Sequence, residues 1–289
     1  MKQLLILSGK GGTGKTTIAS AFIKLSNPKA YADCDVDAPN LHLVSGWEDD
    51  PITSDYFGMD KSAINTELCI QCDLCREYCR FDAIDVKDDV YQVDPFACEG
   101  CGVCEFVCPT DAITLNPSVD GELMLYKNSR QVFSTARLKM GSGTSGLLVT
   151  EVKKQMNDAI DEKKYLAIID GSPGIGCPVI ASLSGVDMVL IVAEPSVSGI
   201  SDMERIIKTA EQFEVEMAVC INKYDINLPN SEKIKDFCNE KGISFTGEIP
   251  YDPAAVKAVN NCKTIVDIDC PSGRAVEEVH DKTMKLLLS

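Results

Sequence analysis

The chain has 289 residues, enough for one large hydrophobic core and a small satellite domain. Its 44 acidic residues outnumber its 28 basic ones, and the resulting net charge of −16 disfavours non-specific binding to nucleic acids or anionic lipids. The 14 cysteines follow no secretory signal, so we expect metal ligation in a reducing, cytoplasmic compartment instead of disulfides. Apolar runs stay shorter than the ~18–20 residues of a membrane span. We therefore expect neither a membrane nor a nucleic acid as a partner.

The chain begins with an apolar stretch at residues 3–8, which predicts a buried strand, and a helix is predicted over residues 16–25. Between them, glycines allow successive backbone N–H groups to point inward as an anion-binding nest at the helix N-terminus. This order predicts a phosphate-binding loop in which Lys15 contacts the β- and γ-phosphates and Thr16 binds Mg²⁺. A random glycine-rich turn is the alternative. The loop residues are Gly9, Lys10, Gly11, Gly12, Thr13, Gly14, Lys15 and Thr16, followed by Thr17.

Two runs of four cysteines follow, 29 residues apart, and the repeat extends beyond them because Asp-Ala-Ile at residues 82–84 recurs at residues 111–113. So small a repeat has too few apolar residues to fold without bound metal. We interpret residues 62–116 as a domain inserted between two parts of a larger domain, residues 1–61 and 117–289. The runs are Cys69, Cys72, Cys75 and Cys79, and then Cys98, Cys101, Cys104 and Cys108.

The spacing of each run resembles that of two-cluster bacterial ferredoxins, in which the fourth cysteine of a run ligates the other cluster. The resemblance implies two [4Fe–4S] clusters. Paired zinc ribbons are the alternative, although they usually show two CxxC pairs with longer gaps. Arg80 stands where such ferredoxins have a proline, which ligates nothing. The implied ligand sets are Cys69, Cys72, Cys75 with Cys108, and Cys98, Cys101, Cys104 with Cys79.

The remaining pattern alternates strands with helices. Continuous apolar runs at residues 165–170, 188–193 and 217–221 are typical of strands covered on both faces. Helices are predicted over residues 147–163, 199–213, 230–241 and 272–288. The sequence therefore predicts a doubly wound, mostly parallel α/β sheet with an inserted, small α+β domain.

Lys10 within the loop resembles the signature lysine of the deviant Walker A motif of the MinD/ParA ATPases and the nitrogenase iron protein, P-loop proteins of the SIMIBI type. That lysine reaches the nucleotide of a partner subunit, which implies an ATP-dependent homodimer. The resemblance implies that Asp35 orients the attacking water and that Asp170 acts on Mg²⁺ through water. It further implies that the base and ribose are contacted by Asn222, Pro250 and Asp252.

Whether the nucleotide is ATP or GTP is a separate question. Residues 222–225, Asn-Lys-Tyr-Asp, also fit the N-K-x-D pattern of GTPases. Because the rest of the chain resembles MinD-type proteins, ATP is favoured over GTP.

The cysteines outside the two runs have mostly structural interpretations. Cys177 follows Asp170 by seven residues, the spacing of a cluster-ligating cysteine in the nitrogenase iron protein, but residues 141–146 provide no second cysteine. Packing is therefore the default for Cys177, and contact with a transferred cluster or a redox partner is the alternative. Residues 141–146 are interpreted as a surface loop. Mrp-type cluster carriers bridge their dimer through a C-terminal CxxC pair, and the sequence has none outside the repeat.

Three functions fit these features. The first is an ATPase whose nucleotide state controls cluster assembly or electron delivery to a redox or cluster-acceptor protein. The second is a ferredoxin-type electron carrier in which the nucleotide is a structural ligand. The third is a MinD-like spatial regulator, which would need a membrane-binding C-terminal helix; the apolar stripe Val276, Val279 and Leu286 instead predicts packing on the sheet.

Overall fold

The computed structural model describes residues 2–47, 49–160 and 165–289. Helices and strands alternate along most of the chain. In chain order they are β1 (Lys2–Leu7), α1 (Lys15–Ser26), β2 (Ala30–Asp33), β3 (Ile52–Phe57), β4 (Lys61–Ile64), α2 (Leu74–Tyr78), β5 (Ile84–Lys87), β6 (Val90–Val93), α3 (Val103–Phe106), β7 (Ile113–Asn116), β8 (Val119–Lys127), β9 (Val132–Leu138), α4 (Ser145–Asp158), β10 (Leu166–Asp170), α5 (Cys177–Leu183), β11 (Met188–Ala193), α6 (Val197–Glu211), β12 (Glu216–Asn222), α7 (Leu228–Lys241), β13 (Ser244–Ile249), α8 (Pro253–Asn260) and α9 (Pro271–Leu288).

Nine of the described strands form one sheet in the order β13-β12-β11-β1-β10-β2-β9-β8-β3. All neighbours from β13 to β9 are parallel, whereas β8 and β3 add an antiparallel edge. Nearly every residue of β1 and all of β11 are buried, because helices cover both faces. The predicted mostly parallel α/β sheet is confirmed, and the antiparallel edge was not predicted.

The predicted helices occur with small shifts at their ends. The helix predicted over residues 147–163 is α4, which starts at Ser145 and ends at Asp158; residues 161–163 of that prediction lie outside the described part of the chain. In α9, Val276 and Val279 are buried and Leu286 packs against the same core, so its apolar stripe faces the sheet as predicted. None of the described helices is long and apolar enough to cross a membrane.

The cysteine repeat lies outside the large sheet, between β3 and β8. It contains two two-stranded antiparallel sheets, β4 with β7 and β5 with β6, and the short helices α2 and α3. Its small core contains Cys75, Ile84, Cys104 and Ile113, which are two pairs of equivalent residues at the repeat offset. The two halves of the repeat therefore pack on each other. The identity and exact limits of the proposed domain, residues 62–116, stay a prediction.

A buried lysine fixes the end of α5. Lys153 of α4 donates to the carbonyls of Ala181, Ser182 and Ser184, at 3.4 Å and 2.6 Å for the first two. These are carbonyls that the end of α5 would otherwise leave without an intrahelical partner. Burial lowers the pKa of Lys153 to about 8. The cation therefore stabilises α5 by hydrogen bonding while its own burial is unfavourable.

The sign of this pKa shift gives a pH prediction. Between pH about 8 and about 10.5 the unfolded chain keeps a proton on Lys153 that the folded chain has lost, so this group raises the free energy of unfolding as pH rises. We expect the difference in that free energy between the natural chain and Lys153→Met to grow across this window, as measured by anaerobic urea denaturation. Lys154→Met, at an exposed position of the same helix, is the control. A difference that stays constant with pH would contradict the assignment.

Candidate functional site

The phosphate-binding loop lies where parallel strands end. β1 leads into the loop, and its neighbours β10 and β11 end beside it. Gly14 precedes α1 with φ 91°, a left-handed conformation that favours glycine, and a Cβ there would collide with the Asn222 amide. The loop can therefore approach β12 closely. The first backbone N–H groups of α1 remain available to an anion.

Two buried carboxylates and one buried lysine form the centre of the site. Lys15 pairs with Asp170, and both side chains are almost fully buried. Asp33 accepts hydrogen bonds from the backbone amides of Asp35, Asn40 and Leu41, each at 3.0 Å. Burial, together with the negative charge of Asp170, raises the pKa of Asp33 to about 7. The structure thus joins the ends of β2 and β10 around the loop lysine.

The predicted Mg²⁺ residues belong to this centre. Lys15 Nζ lies 3.4 Å from the Thr16 hydroxyl, which brings Thr16 next to the Lys15–Asp170 pair. Among the described residues the second carboxylate oxygen of Asp170 is buried and has no hydrogen-bond partner. A buried carboxylate oxygen without a partner is unfavourable. A hard cation, or its bound water, would supply the missing interaction, so the donor set fits Mg²⁺.

Asp35 lies at the same edge of the sheet, partly exposed, two residues after Asp33. Burial raises the pKa of Asp35, and the charges of Asp170 and Asp37 act in the same direction, whereas Lys15 opposes them. Its carboxylate is therefore within the electrostatic influence of the phosphate loop. Its water-orienting role stays a prediction.

A cavity of about 400 Å³ adjoins the loop. Asn222 Nδ2 donates to the Thr13 carbonyl at 2.6 Å, so the end of β12 is tied to the loop. Asp225 accepts from the Tyr251 backbone amide at 2.7 Å and is not among the lining residues. Six of the residues predicted to bind nucleotide line the cavity: Gly12, Gly14, Thr17, Asn222, Pro250 and Asp252.

Asp252 also has a structural role that the sequence did not reveal. One carboxylate oxygen caps α8 through the Ala254 amide at 2.9 Å, and the other accepts from the Ser272 hydroxyl at 3.0 Å. Asp252 therefore joins the first turns of α8 and α9 at the wall of the cavity. Gly11 lies exposed on the loop and outside the cavity lining.

Lys10 is bound within its own chain. Its ammonium lies 2.7 Å from Glu194 Oε2, and it donates to the hydroxyls of Ser196 at 3.0 Å and Ser198 at 3.3 Å. The other oxygen of Glu194 lies 3.3 Å from Lys223 Nζ, which donates to the Gly12 carbonyl at 2.8 Å. Burial opposes ionisation of Glu194, but Lys10 and Lys223 hold its pKa below the usual range. Sequence reasoning missed Glu194 and Lys223 as partners of the loop.

The eight cysteines of the repeat line two small cavities, each with four cysteines. No group of three or more His, Cys, Asp or Glu side chains among the described residues is arranged to hold a single metal ion. A cube of four irons and four sulfides is wider than one ion and separates its ligands further. Four thiolates per cavity are the ligands that a [4Fe–4S] cluster requires, so the residues present fit such a group. One cavity is lined by Cys69, Cys72, Cys75 and Cys108, the other by Cys79, Cys98, Cys101 and Cys104.

Polar groups approach the sulfurs. The Ala83 amide donates to Cys79 Sγ at 3.5 Å, and the Ala112 amide donates to Cys108 Sγ at 3.3 Å. Ala83 and Ala112 are equivalent positions of the repeat. Burial raises the pKa of the Cys75 thiol to about 11, whereas at Cys98 hydrogen bonds from nearby amides outweigh burial and lower the pKa. Such amide–sulfur bonds stabilise the thiolate form that ligates metal.

Residues 141–146, which form the loop before α4 and its first two residues, lie close both to the cysteine repeat and to the segment after Asp170. A Cβ on Gly141 would lie 3.0 Å from the Phe96 ring, and one on Gly143 would lie 3.3 Å from the Glu99 carboxylate. A Cβ on Gly146 would lie 3.0 Å from Cys177 Cβ, and Cys177 is the exposed first residue of α5. The stretch interpreted as a plain surface loop therefore connects the second cysteine run to the segment that follows Asp170.

Comparison with known sequences gives a family match over most of the chain. The CobQ/CobB/MinD/ParA nucleotide binding domain matches residues 4–265. An uncharacterised protein of Methanocaldococcus jannaschii is 31% identical over 99% of this chain and 97% of its own length. An uncharacterised ferredoxin of the same organism is 32% identical over 35% of this chain and 68% of its own length. An iron-sulfur cluster carrier protein of Pyrococcus abyssi is 24% identical over 99% of this chain and 86% of its own length.

Solved structures share the fold at lower identity. The cell division ATPase MinD of Pyrococcus furiosus is 18% identical, with a TM-score of 0.59 over 99% of both chains. At this identity the likeness concerns the arrangement of the sheet and helices alone.

Proposed function

Because the chain belongs to the CobQ/CobB/MinD/ParA nucleotide-binding family, we propose that it is a Mg²⁺-dependent ATPase that couples its nucleotide state to iron–sulfur chemistry. The coupled process is either cluster assembly or electron delivery to a partner protein. The observation that carries the proposal is the pair of cavities in the repeat, each lined by three cysteines of one run and the fourth of the other. The likeness to a ferredoxin and to a cluster carrier supports it.

The residues divide into two sets with separate tasks. The loop amides and Lys15 would hold the phosphates, Thr16 and Asp170 would hold Mg²⁺, and Asp35 would orient water toward the γ-phosphorus. Mg²⁺ supplies neutralisation of phosphate charge when it is bound. An incoming phosphate would give Lys15 a second anionic partner besides Asp170. Positioning and charge neutralisation suffice for this hydrolysis, since it needs little covalent chemistry from the protein.

ATP is the proposed nucleotide. The GTPase pattern requires the aspartate that follows the lysine to accept hydrogen bonds from guanine. Here one oxygen of Asp225 already accepts from the Tyr251 amide, and Asp225 does not line the cavity. Asn222 lines it and would contact the base.

The repeat would hold two [4Fe–4S] clusters, each of which supplies one-electron redox chemistry or serves as cargo when bound. The chain itself would contribute four cysteine thiolates to each cluster. Backbone amides donate to two of these sulfurs, those of Cys79 and Cys108. The segment at residues 141–146 supports coupling, because it lies close to Phe96 and Glu99, at the start of the second cysteine run, and to Cys177 of α5. A movement of the segment after Asp170 would therefore be transmitted to the cysteines that line the two cavities of the repeat.

The test is the electron paramagnetic resonance spectrum of the reduced, anaerobically purified chain with and without Mg-ATP. We expect iron and sulfide in the preparation and a nucleotide-dependent change in the spectrum. Lys15→Ala, which should not bind ATP productively, is the control and should show no change. Gly146→Val should bind ATP with a reduced spectral response, because its Cβ would meet the Cys177 backbone at 3.2 Å. Identical spectra in a chain that hydrolyses ATP would refute the coupling.

A further inference from the structure

Glu194 stands where a negative charge is least expected, directly after β11 and beside a loop built to bind phosphate. Its backbone is held firmly. The Ser196 amide donates to the Glu194 carbonyl at 2.8 Å, and Gly199 packs so closely on that carbonyl that a Cβ would not fit. The carboxylate therefore cannot withdraw from the loop by movement of its backbone.

A carboxylate at this position repels an incoming phosphate unless cations neutralise it. Two lysines do so, since Lys10 lies 2.7 Å from one oxygen and Lys223 lies 3.3 Å from the other. Only 14% of the Glu194 side chain is exposed, so solvent screens these pairs incompletely. Lys10, Glu194 and Lys223 thus form a lysine–glutamate–lysine bridge beside the phosphate-binding loop.

The two lysines differ in what else they hold. Lys223 also donates to the Gly12 carbonyl at 2.8 Å, and its neighbour Asn222 donates to the Thr13 carbonyl at 2.6 Å. Lys223 is therefore tied to the loop, and it also lines the cavity of about 400 Å³ beside the loop, called the base cavity below. The other partners of Lys10 are two hydroxyls of the α6 N-terminal region, and 32% of its side chain is exposed. Lys10 can leave the bridge without breaking the loop, while Lys223 continues to neutralise the carboxylate.

We propose that Glu194 is a positioning residue that holds Lys10 off the phosphates before nucleotide binds and releases Lys10 when a triphosphate binds. The inference rests on the proposed ATPase function and on the role that the resemblance implies for Lys10, contact with the phosphates bound by a partner subunit. Glu194 and phosphate compete for the same ammonium, so the triphosphate must displace a carboxylate before Lys10 can act. Lys223 links this exchange to the base cavity, because the same residue lines that cavity and contacts Glu194.

The first measurement needs no nucleotide. The acylation rate of each lysine amine is measured by mass spectrometry on the full, cluster-containing chain. In Glu194→Gln we expect Lys10 to react up to about fivefold faster than in the natural chain, the upper end of the range for a partly exposed ion pair. Glu232→Gln, which removes one of the two carboxylate partners of Lys235 on α7, is the control and should leave Lys10 unchanged. Glu194→Asp should give an intermediate rate and serves as the second variant if the glutamine variant folds poorly.

The same labelling distinguishes positioning from a general effect on folding. If Glu194 mainly stabilised the fold, its replacement would also expose the buried amines of Lys15 and Lys153. The proposal instead confines the acceleration to Lys10 and Lys223. Equal Lys10 rates in the natural chain and Glu194→Gln, or acceleration spread over buried lysines, would overturn it.

The second measurement is steady-state ATP hydrolysis. We expect the KM for ATP to fall about fivefold in Glu194→Gln, because ATP no longer competes with the carboxylate, while kcat changes little. A raised KM would overturn the proposal. A natural chain that neither binds nor hydrolyses ATP would refute the proposed function, and the labelling result would still decide whether Glu194 holds Lys10.

Discussion

Replacement of Lys10 by alanine is expected to lower ATP hydrolysis by about a thousandfold while leaving ATP binding nearly unchanged. The basis is the role that its resemblance to the signature lysine implies, a cation supplied to the phosphates of a partner subunit. A cation delivered in this way to the transferring phosphoryl group stabilises charge that develops in the transition state, and such groups contribute about 10³–10⁵ to kcat. Hydrolysis is measured as phosphate release, and binding by calorimetry with a non-hydrolysable ATP analogue.

The fold should tolerate this change, because Glu194 keeps Lys223 as a partner when Lys10 is removed. Lys24→Ala is a suitable control, since Lys24 is an exposed lysine of α1 paired with Asp267. Lys15→Ala gives the contrasting result, because loss of the buried loop lysine should weaken ATP binding itself. Turnover of Lys10→Ala equal to that of the natural chain would show that no lysine is delivered between subunits, and the proposed homodimer would lose its main support.

The central strands of the sheet could be predicted, because their burial is visible in the apolar pattern of each strand's own residues. A strand covered by helices on both faces must be apolar over most of its length, as β1, β10 and β11 are. The antiparallel edge could not be recognised in the same way. In β3 one residue is buried and the other five are exposed, so neither a continuous nor an alternating apolar pattern marks it. Its position depends on pairing with β8, which is a long-range contact.

The candidate site likewise contains residues that a local motif marks and residues whose importance depends on contacts distant in sequence. Motifs pointed to Lys15, Asp35 and Asp170, because the roles proposed for these residues depend on a fixed spacing from a strand end. Glu194 carries no motif, and its importance comes from two lysines that are distant in sequence. One signal was available: a polar residue that directly follows a strand beside β1 must lie near the phosphate loop, because parallel strands end at the same edge of the sheet. The same reasoning applies to Asp33 at the end of β2.

Single replacement of any cysteine in the repeat is expected to remove about four of about eight irons per chain, because one cluster loses a ligand. Double replacements then reveal which cysteines share a cluster. In Cys79→Ser/Cys98→Ser, both changes fall in the same cavity, so the loss should stay near four irons. In Cys69→Ser/Cys79→Ser, the changes fall in different cavities, and both clusters should be lost. Iron and acid-labile sulfide per chain are the measurements.

This comparison controls itself, because both double variants remove two cysteines and include Cys79. If each run instead held its own cluster, the results would be reversed: Cys69→Ser/Cys79→Ser would keep about four irons, and Cys79→Ser/Cys98→Ser would keep none. Zinc in place of iron in the natural, anaerobically purified chain would refute both arrangements. The crossed result would also explain why the two halves of the repeat pack together through equivalent residues such as Cys75 and Cys104, since each half would complete the ligand set of the other.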